Sequence, residues 1–224
     1  MNKRKTFSEQ EQIDLIKSDT RNMRFIKNPC IKVQLMAIRS NAYIISAIDN
    51  PTEKVQLIAV ENNGALIEYI KNPTDKVKLV AASNSGWILK YISNPTKETQ
   101  LAAVKNYGGA IKCIKNPSKL IQETAVKQCA YSIQFIESPP EYIQLMAIEQ
   151  DCFSVFHIKN STEKVQLKAV KINAGCIVFI KNPARLVQEY IILNHPEYIS
   201  DLTFIDKEVK EKYDYILSGE DLGI

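Results

Sequence analysis

Proline recurs in this chain at Pro29, Pro51, Pro73, Pro95, Pro117 and Pro139, each 22 residues after the last, and again at Pro183 after Ser161 has taken the place once. A fixed period of roughly 20–50 residues marks a repeat architecture, in which each unit buries its apolar side only against its neighbours. Other columns keep the same register. Immediately before the proline position stand Asn28, Asn50, Asn72, Asn94, Asn116, Ser138, Asn160 and Asn182. Five residues after it come Gln34, Gln56, Lys78, Gln100, Gln122, Gln144, Gln166 and Gln188. Three further on is alanine, from Ala37 to Ala169, with Ile191 last. One period before Pro29 stands Phe7, and Gln12 then joins the Gln column. The register predicts nine units, starting at 7, 29, 51, 73, 95, 117, 139, 161 and 183, with the outer two degenerate.

Punctuation within a unit divides it into two short helices. Asn-Pro-Thr-Glu at 50–53 reads as a helix start: Asn or Thr can cap, proline suits the first turn, and an acid favours the positive end of the helix dipole. A first helix of about ten residues then ends at Asn63-Gly64, Ser85-Gly86 or Tyr107-Gly108, where glycine is expected to take the left-handed conformation. A second helix of about seven or eight residues, such as Ala65 to Ile70, is partly 3₁₀ in expectation and ends before the next Asn-Pro. Isolated helices this short are marginal in water, so stacking must hold them. The predicted core consists of Val55, Ala59 and Val60 with their equivalents, and the stripe Ile67/Ile70, Leu89/Ile92, Ile111/Ile114 and Ile133/Ile136. The predicted organisation is a helical-repeat array over residues 1–204, followed by a C-terminal capping helix and tail over 205–224, with the helix at 205–217.

Composition bounds the function classes. No apolar run approaches the roughly 18 residues of a membrane span, and the basic start has no signal-peptide core, so a cytoplasmic protein without membrane partners is expected. Cys30, Cys113, Cys129, Cys152 and Cys176 are scattered and read as buried apolar residues, not as metal ligands or disulfides. The abundance of Lys, Ile and Asn suggests an AT-rich bacterial or phage genome. Seven Lys/Arg face four Asp/Glu over residues 1–28, a net +3, whereas three face eight over 194–224, a net −5. That gradient can orient a partner or promote self-assembly.

The pattern Asn-Pro-Thr-(Glu/Asp)-Lys-Val-(Gln/Lys)-Leu-x-Ala at 50–59 and 72–81 resembles short α-helical repeats of the HEAT-like and leucine-rich-repeat-variant class. It also resembles uncharacterised Asn-Pro/Val-Gln/Ala repeats of bacterial, phage and giant-virus proteins. The resemblance covers residues 7–204 and implies an all-α, right-handed α-solenoid that presents a surface to a partner. The 22-residue unit is shorter than a usual HEAT unit.

Two columns concentrate the aromatic residues. Tyr43, Trp87, Tyr131 and Phe153 lie 14 residues after the proline position; Phe25, Tyr69, Tyr91, Phe135 and Phe179 lie 18 after it, with His157. Between them stand Arg24, Lys90, Lys112, Gln134 and Phe156. These positions share one face of the second helix, turned away from the Ile stripe, and are either gap-fillers between repeats or a partner-binding surface. The Gln column, set beside the Val/Ala face, reads as a structural ladder to the inter-repeat loops. Lys27, Lys71, Lys115, Lys159 and Lys181 form an edge interrupted by Asp49, Ser93 and Glu137. Neither His157 nor His195 has a catalytic companion at useful spacing, and no phosphate loop, metal motif or nucleophile elbow appears. The expectation is a non-catalytic protein-interaction module without cofactor or metal, such as a bacterial or phage adaptor or inhibitor. The alternatives are nucleic-acid binding through interleaved basic and aromatic residues, a self-assembling scaffold and, remotely, a helical-repeat DNA glycosylase using Trp87 and an acid.

Overall fold

The computed structural model describes residues 4–218, which form an all-α solenoid of regular helix pairs. No β-strand occurs among these residues; a single bridge pairs Lys5 with Ile26. The chain divides into two compact units, Met1–Asn116 and Pro117–Ile224.

In the first unit, α1 (Glu9–Ser18), α2 (Ile31–Ser40), α3 (Glu53–Asn62), α4 (Asp75–Asn84) and α5 (Lys97–Asn106) each have ten residues. Each is followed by a six-residue 3₁₀ helix: Thr20–Phe25, Ala42–Ala47, Gly64–Tyr69, Gly86–Tyr91 and Gly108–Cys113. The second unit repeats the pair with α6 (Lys119–Gln128), α7 (Glu141–Gln150), α8 (Glu163–Ile172) and α9 (Arg185–Asn194). Its 3₁₀ helices are Ala130–Phe135, Cys152–His157, Ala174–Phe179 and Pro196–Asp201. The second element is therefore wholly 3₁₀ and shorter than expected. Its tight i→i+3 closure suits so short a piece.

Starts and stops differ from expectation in an instructive way. The N-cap is the residue after the proline position: Thr74, Thr96, Ser118 and Thr162 accept hydrogen bonds from the backbone N–H three residues on. Proline thus lies just outside the helix, not in its first turn. The left-handed conformation falls on Asn28, Asn94 and Asn116, with φ of 53°, 49° and 51°, and not on Gly64 or Gly86. Gly64 and Gly86 serve a different end. A Cβ on Gly64 would lie 2.4 Å from the Ala81 carbonyl oxygen, and one on Gly86 would lie 2.1 Å from that of Ala103. The α-helix itself ends on an extended residue such as Asn63 (φ −153°, ψ 110°), whose side chain accepts from the Ala65 N–H and opens the 3₁₀ helix.

The expected core is in place. Val55, Ala59, Val60, Ile67, Ile70, Leu89, Ile111 and Ile133 are buried, as are their equivalents through most repeats; Ile114 is only half-buried. The Gln column is a ladder. Each Gln donates from Nε2 to the carbonyl at its own proline position, at 2.8 Å from Gln34 to Pro29 and 2.7 Å from Gln188 to Pro183. Three also accept across the repeat boundary at Oε1, from the N–H groups of Cys30 (Gln12), Ala184 (Gln166) and Asp206 (Gln188).

The C-terminal segment docks on the last repeat but is not one helix. It breaks at Tyr213 (φ −119°) into α10 (Lys207–Lys212) and α11 (Asp214–Leu217), where the Tyr213 ring turns inward and is buried beside Val209. Arg185 pairs with Glu208, and Lys212 with Glu189 at 3.1 Å. Burial of Val209 and Tyr213 anchors the segment; the exposed ion pairs add little and chiefly fix its register. The expected tail beyond residue 218 lies outside the described residues.

Candidate functional site

The 3₁₀ helix explains why the aromatic columns face outward. With about three residues per turn, the first, third and fourth residues of the helix and the Ile that caps it lie on the core side, as Gly64, Leu66, Ile67 and Ile70 do, and the second, fifth and sixth are left less covered. Tyr43 is 60% exposed, Trp87 46% and Phe156 63%; Tyr69, Tyr91, Tyr131, Phe135, Phe153 and Phe179 are also exposed. These rings are open to water on one side while several also touch side chains of the neighbouring repeat; Phe25 and His157 are half-buried.

In the first unit the rings are interleaved with cations. Trp87 and Tyr91 meet edge to face at 6.0 Å, and the Lys90 ammonium lies 5.3 Å from the Trp87 ring centre and 4.7 Å from that of Tyr91. Arg24 lies 4.6 Å over Phe25. The Tyr43 hydroxyl accepts from Asn63 Nδ2 at 3.2 Å, and a hydrogen bond to Glu68 pushes the Tyr69 hydroxyl above its ordinary pKa. Lys112 is exposed, but its neighbour in the later aromatic column is Cys113, so no equivalent triad forms.

In the second unit the rings touch one another. Tyr131 meets His157 at 5.2 Å, His157 meets Phe156 at 5.0 Å, Phe156 meets Phe179 at 5.6 Å and Phe179 meets Phe153 at 5.9 Å, all edge to face. The result is a continuous chain of five rings across three repeats. Tyr131 donates from its hydroxyl to Asp151 at 2.6 Å, and that bond holds the phenol above its usual pKa.

Two aromatic residues escaped the column analysis. The earlier column is interrupted by Gly109 and Gly175. A Cβ on Gly109 would fall 2.6 Å from ring atoms of Tyr107, whose exposed ring covers that place, while the Tyr198 hydroxyl lies 3.6 Å from the corresponding point on Gly175. A tyrosine within one unit of a glycine gap was the available signal. The cysteines also depart from expectation. Cys152 and Cys176 are buried, but Cys30 and Cys129 are half-buried and Cys113 is exposed, because it stands in an outward-facing column. Burial, followed by a hydrogen bond with Cys152, pushes the Cys176 thiol up to about 12.

Among the described residues no group of three or more His, Cys, Asp or Glu is placed to hold a metal, and no helix is long and apolar enough to cross a membrane. Comparison with known proteins finds no matching family model, curated protein or solved structure. What stands is therefore the all-helical repeat architecture itself.

Proposed function

We propose that the chain is a non-catalytic protein-interaction module that holds its partner through the outward faces of the 3₁₀ helices. The carrying observation is the five-ring chain from Tyr131 to Phe153 in the second unit; the first unit, taken by itself, carries the Trp87/Lys90/Tyr91 cluster. Exposed aromatic side chains on a prefolded backbone bury much area at low ordering cost, which is the character of interface hot spots. A cytoplasmic adaptor or inhibitor from a bacterium or phage, distantly allied to HEAT-like repeats, fits this reading. Its test is a pull-down from a source lysate with wild type and with Trp87→Ala/Tyr91→Ala and Phe156→Ala/Phe179→Ala double variants. Loss of a specific partner from either variant supports the proposal, and equal recovery by all three chains overturns it.

A second reading, nucleic-acid binding by the first unit, is favoured by the cations over rings at Lys90 and Arg24. It requires oligonucleotide affinity that falls steeply between low and moderate salt and is lost with Lys90→Ala/Trp87→Ala. Salt-independent retention would remove it.

A further inference from the structure

Between the 3₁₀ helices Cys152–His157 and Ala174–Phe179 the surface opens into a groove of about 660 Å³. This is within the roughly 300–1,000 Å³ of sites that enclose small ligands and clusters of side chains. Phe156, Val178 and Phe179 supply exposed apolar lining; Lys159, Lys181, Asn160 and Asn182 line it too, and no carboxylate does. Among the described residues neither lysine makes an ion pair, and neither asparagine side chain has a hydrogen-bond partner. Two uncompensated cations, two idle amides and two rings are thus gathered in one place.

We infer that this groove is a recognition subsite for an extended peptide carrying a carboxylate side chain next to a large apolar one. The lysines take the carboxylate, the asparagine amides take the peptide backbone, and the Phe156 and Phe179 rings take the apolar side chain. The local charge pattern selects a short acidic motif over a polyanion. Lys159 and Lys181 are the only lysines in consecutive repeats of their column, and the positions on either side are Glu137 and Thr203. Glu137 shares the adjoining groove with Lys159, and the Thr203 hydroxyl is committed to the Lys181 carbonyl at 2.6 Å. A phosphate backbone running along the repeats would leave its cations after one step and meet a carboxylate, whereas a single acidic side chain finds all the positive charge it needs.

The inference rests on the interaction reading above and deepens it, so its test must separate the two. A displayed library of random dodecapeptides is selected on the full chain, on Lys159→Glu/Lys181→Glu and on Phe156→Ala/Phe179→Ala. All four positions are exposed, and circular dichroism checks that the variants keep their helices. The expected result on wild type is enrichment of Asp or Glu beside Phe, Trp or Leu. A selected peptide, synthesised and measured by fluorescence polarisation, should lose at least tenfold in affinity on the charge-reversed chain, and replacing its acid by Lys should restore binding there. Enriched peptides that lack an acid but depend on Phe156 and Phe179 overturn the acidic subsite while sparing the interaction reading. Peptides indifferent to both variants, or no enrichment, overturn the subsite. An oligothymidylate bound at physiological salt and released by the same charge reversal would reassign the groove to nucleic acid and likewise overturn it.

Discussion

Repeats three and four fill the space at the head of the 3₁₀ helix in one way, and repeats six to eight fill it in the opposite way. In the first unit Gly64 and Gly86 open the helix, and two residues on are the buried, bulky Leu66 and Ile88. In the second unit Ala130, Cys152 and Ala174 open it, and the buried residue two on is small: Ser132, Ser154 or Cys176. Where the next α-helix carbonyl comes too close for a Cβ, the missing volume is restored two residues later. Where a Cβ fits, that volume is withdrawn. Interiors are close-packed, and these five repeats redistribute volume between the two positions, whereas repeat two keeps it at both, with Ala42 and Ile44, and repeat five at neither, with Gly108 and Ala110. The second solution has a cost. The Oγ atoms of Ser132 and Ser154 are buried with no hydrogen-bond partner among the described residues.

The largest effect should come from breaking the glycine solution. Gly86→Ala drives a Cβ to 2.1 Å from a backbone oxygen that cannot swing away, and should cost about 3 kcal/mol in chemical denaturation. At an unstrained site the same change would be mildly stabilising. Ala174→Gly, the reverse change in the second unit, should cost only about 1 kcal/mol. A neutral Gly86→Ala would mean that the two units do not differ in how closely their layers approach.

Next in size is the glutamine ladder, closed at some rungs and open at others. Gln188 is bonded at both ends, to Pro183 and to Asp206 of the docked C-terminal segment. Gln56 donates to Pro51 at 2.8 Å, but its Oε1 has no partner. Gln188→Leu should therefore cost about 2 kcal/mol and expose the amides of α10 to hydrogen exchange, whereas Gln56→Leu should cost about 1 kcal/mol. Equal losses would show that the cross-boundary bond carries no weight.

A smaller change, of opposite sign, is expected where the second unit buries its hydroxyls. Ser154 is wholly buried, and its unpaired Oγ is a desolvation cost that alanine removes with little change in volume. Ser154→Ala should raise stability by about 1 kcal/mol. A loss of stability would reveal that the hydroxyl is engaged and would remove the stated cost of the second packing.

Much of this contrast was hidden from the sequence for a physical reason. Periodicity reports which side of an element is buried, so Val55, Ala59, Ile67 and the outward aromatic columns were legible. It does not report the distance between layers. Gly64 and Gly86 looked like helix terminators because Asn-Gly and Ser-Gly commonly are, yet here the demand comes from a carbonyl in the following repeat. The 3₁₀ winding was only half legible, since six residues are too few for the two helical periods to diverge. The break at Tyr213 was not, because the charge pattern of 205–217 continues through it. The aromatic surface was visible as columns, but Tyr107 and Tyr198 lie out of register and reach their places through glycine gaps.

The smallest effect is electrostatic and belongs to the second unit alone, because the position that holds Leu66 and Ile88 in the first holds a titratable thiol at Cys176. Burial raises that thiol to about 12, helped by the hydrogen bond with Cys152 and by the negative charge available at Cys152 and Asp151. A thiol is neutral when protonated, so the folded chain keeps its proton over a range in which the unfolded chain, with a thiol near 9, gives it up. Unfolding then releases a proton, and stability falls as pH rises. Stability from this group is fully present below about pH 9 and declines progressively toward 12. Denaturation midpoints taken from about pH 7 to about pH 10.5 should be flat at first and then fall, and Cys176→Val should flatten part of that fall. An unchanged slope in the variant would mean that Cys176 deprotonates in the folded state as readily as in the unfolded one. The space beside Ala174 would then admit water, unlike the sealed position of Ile88.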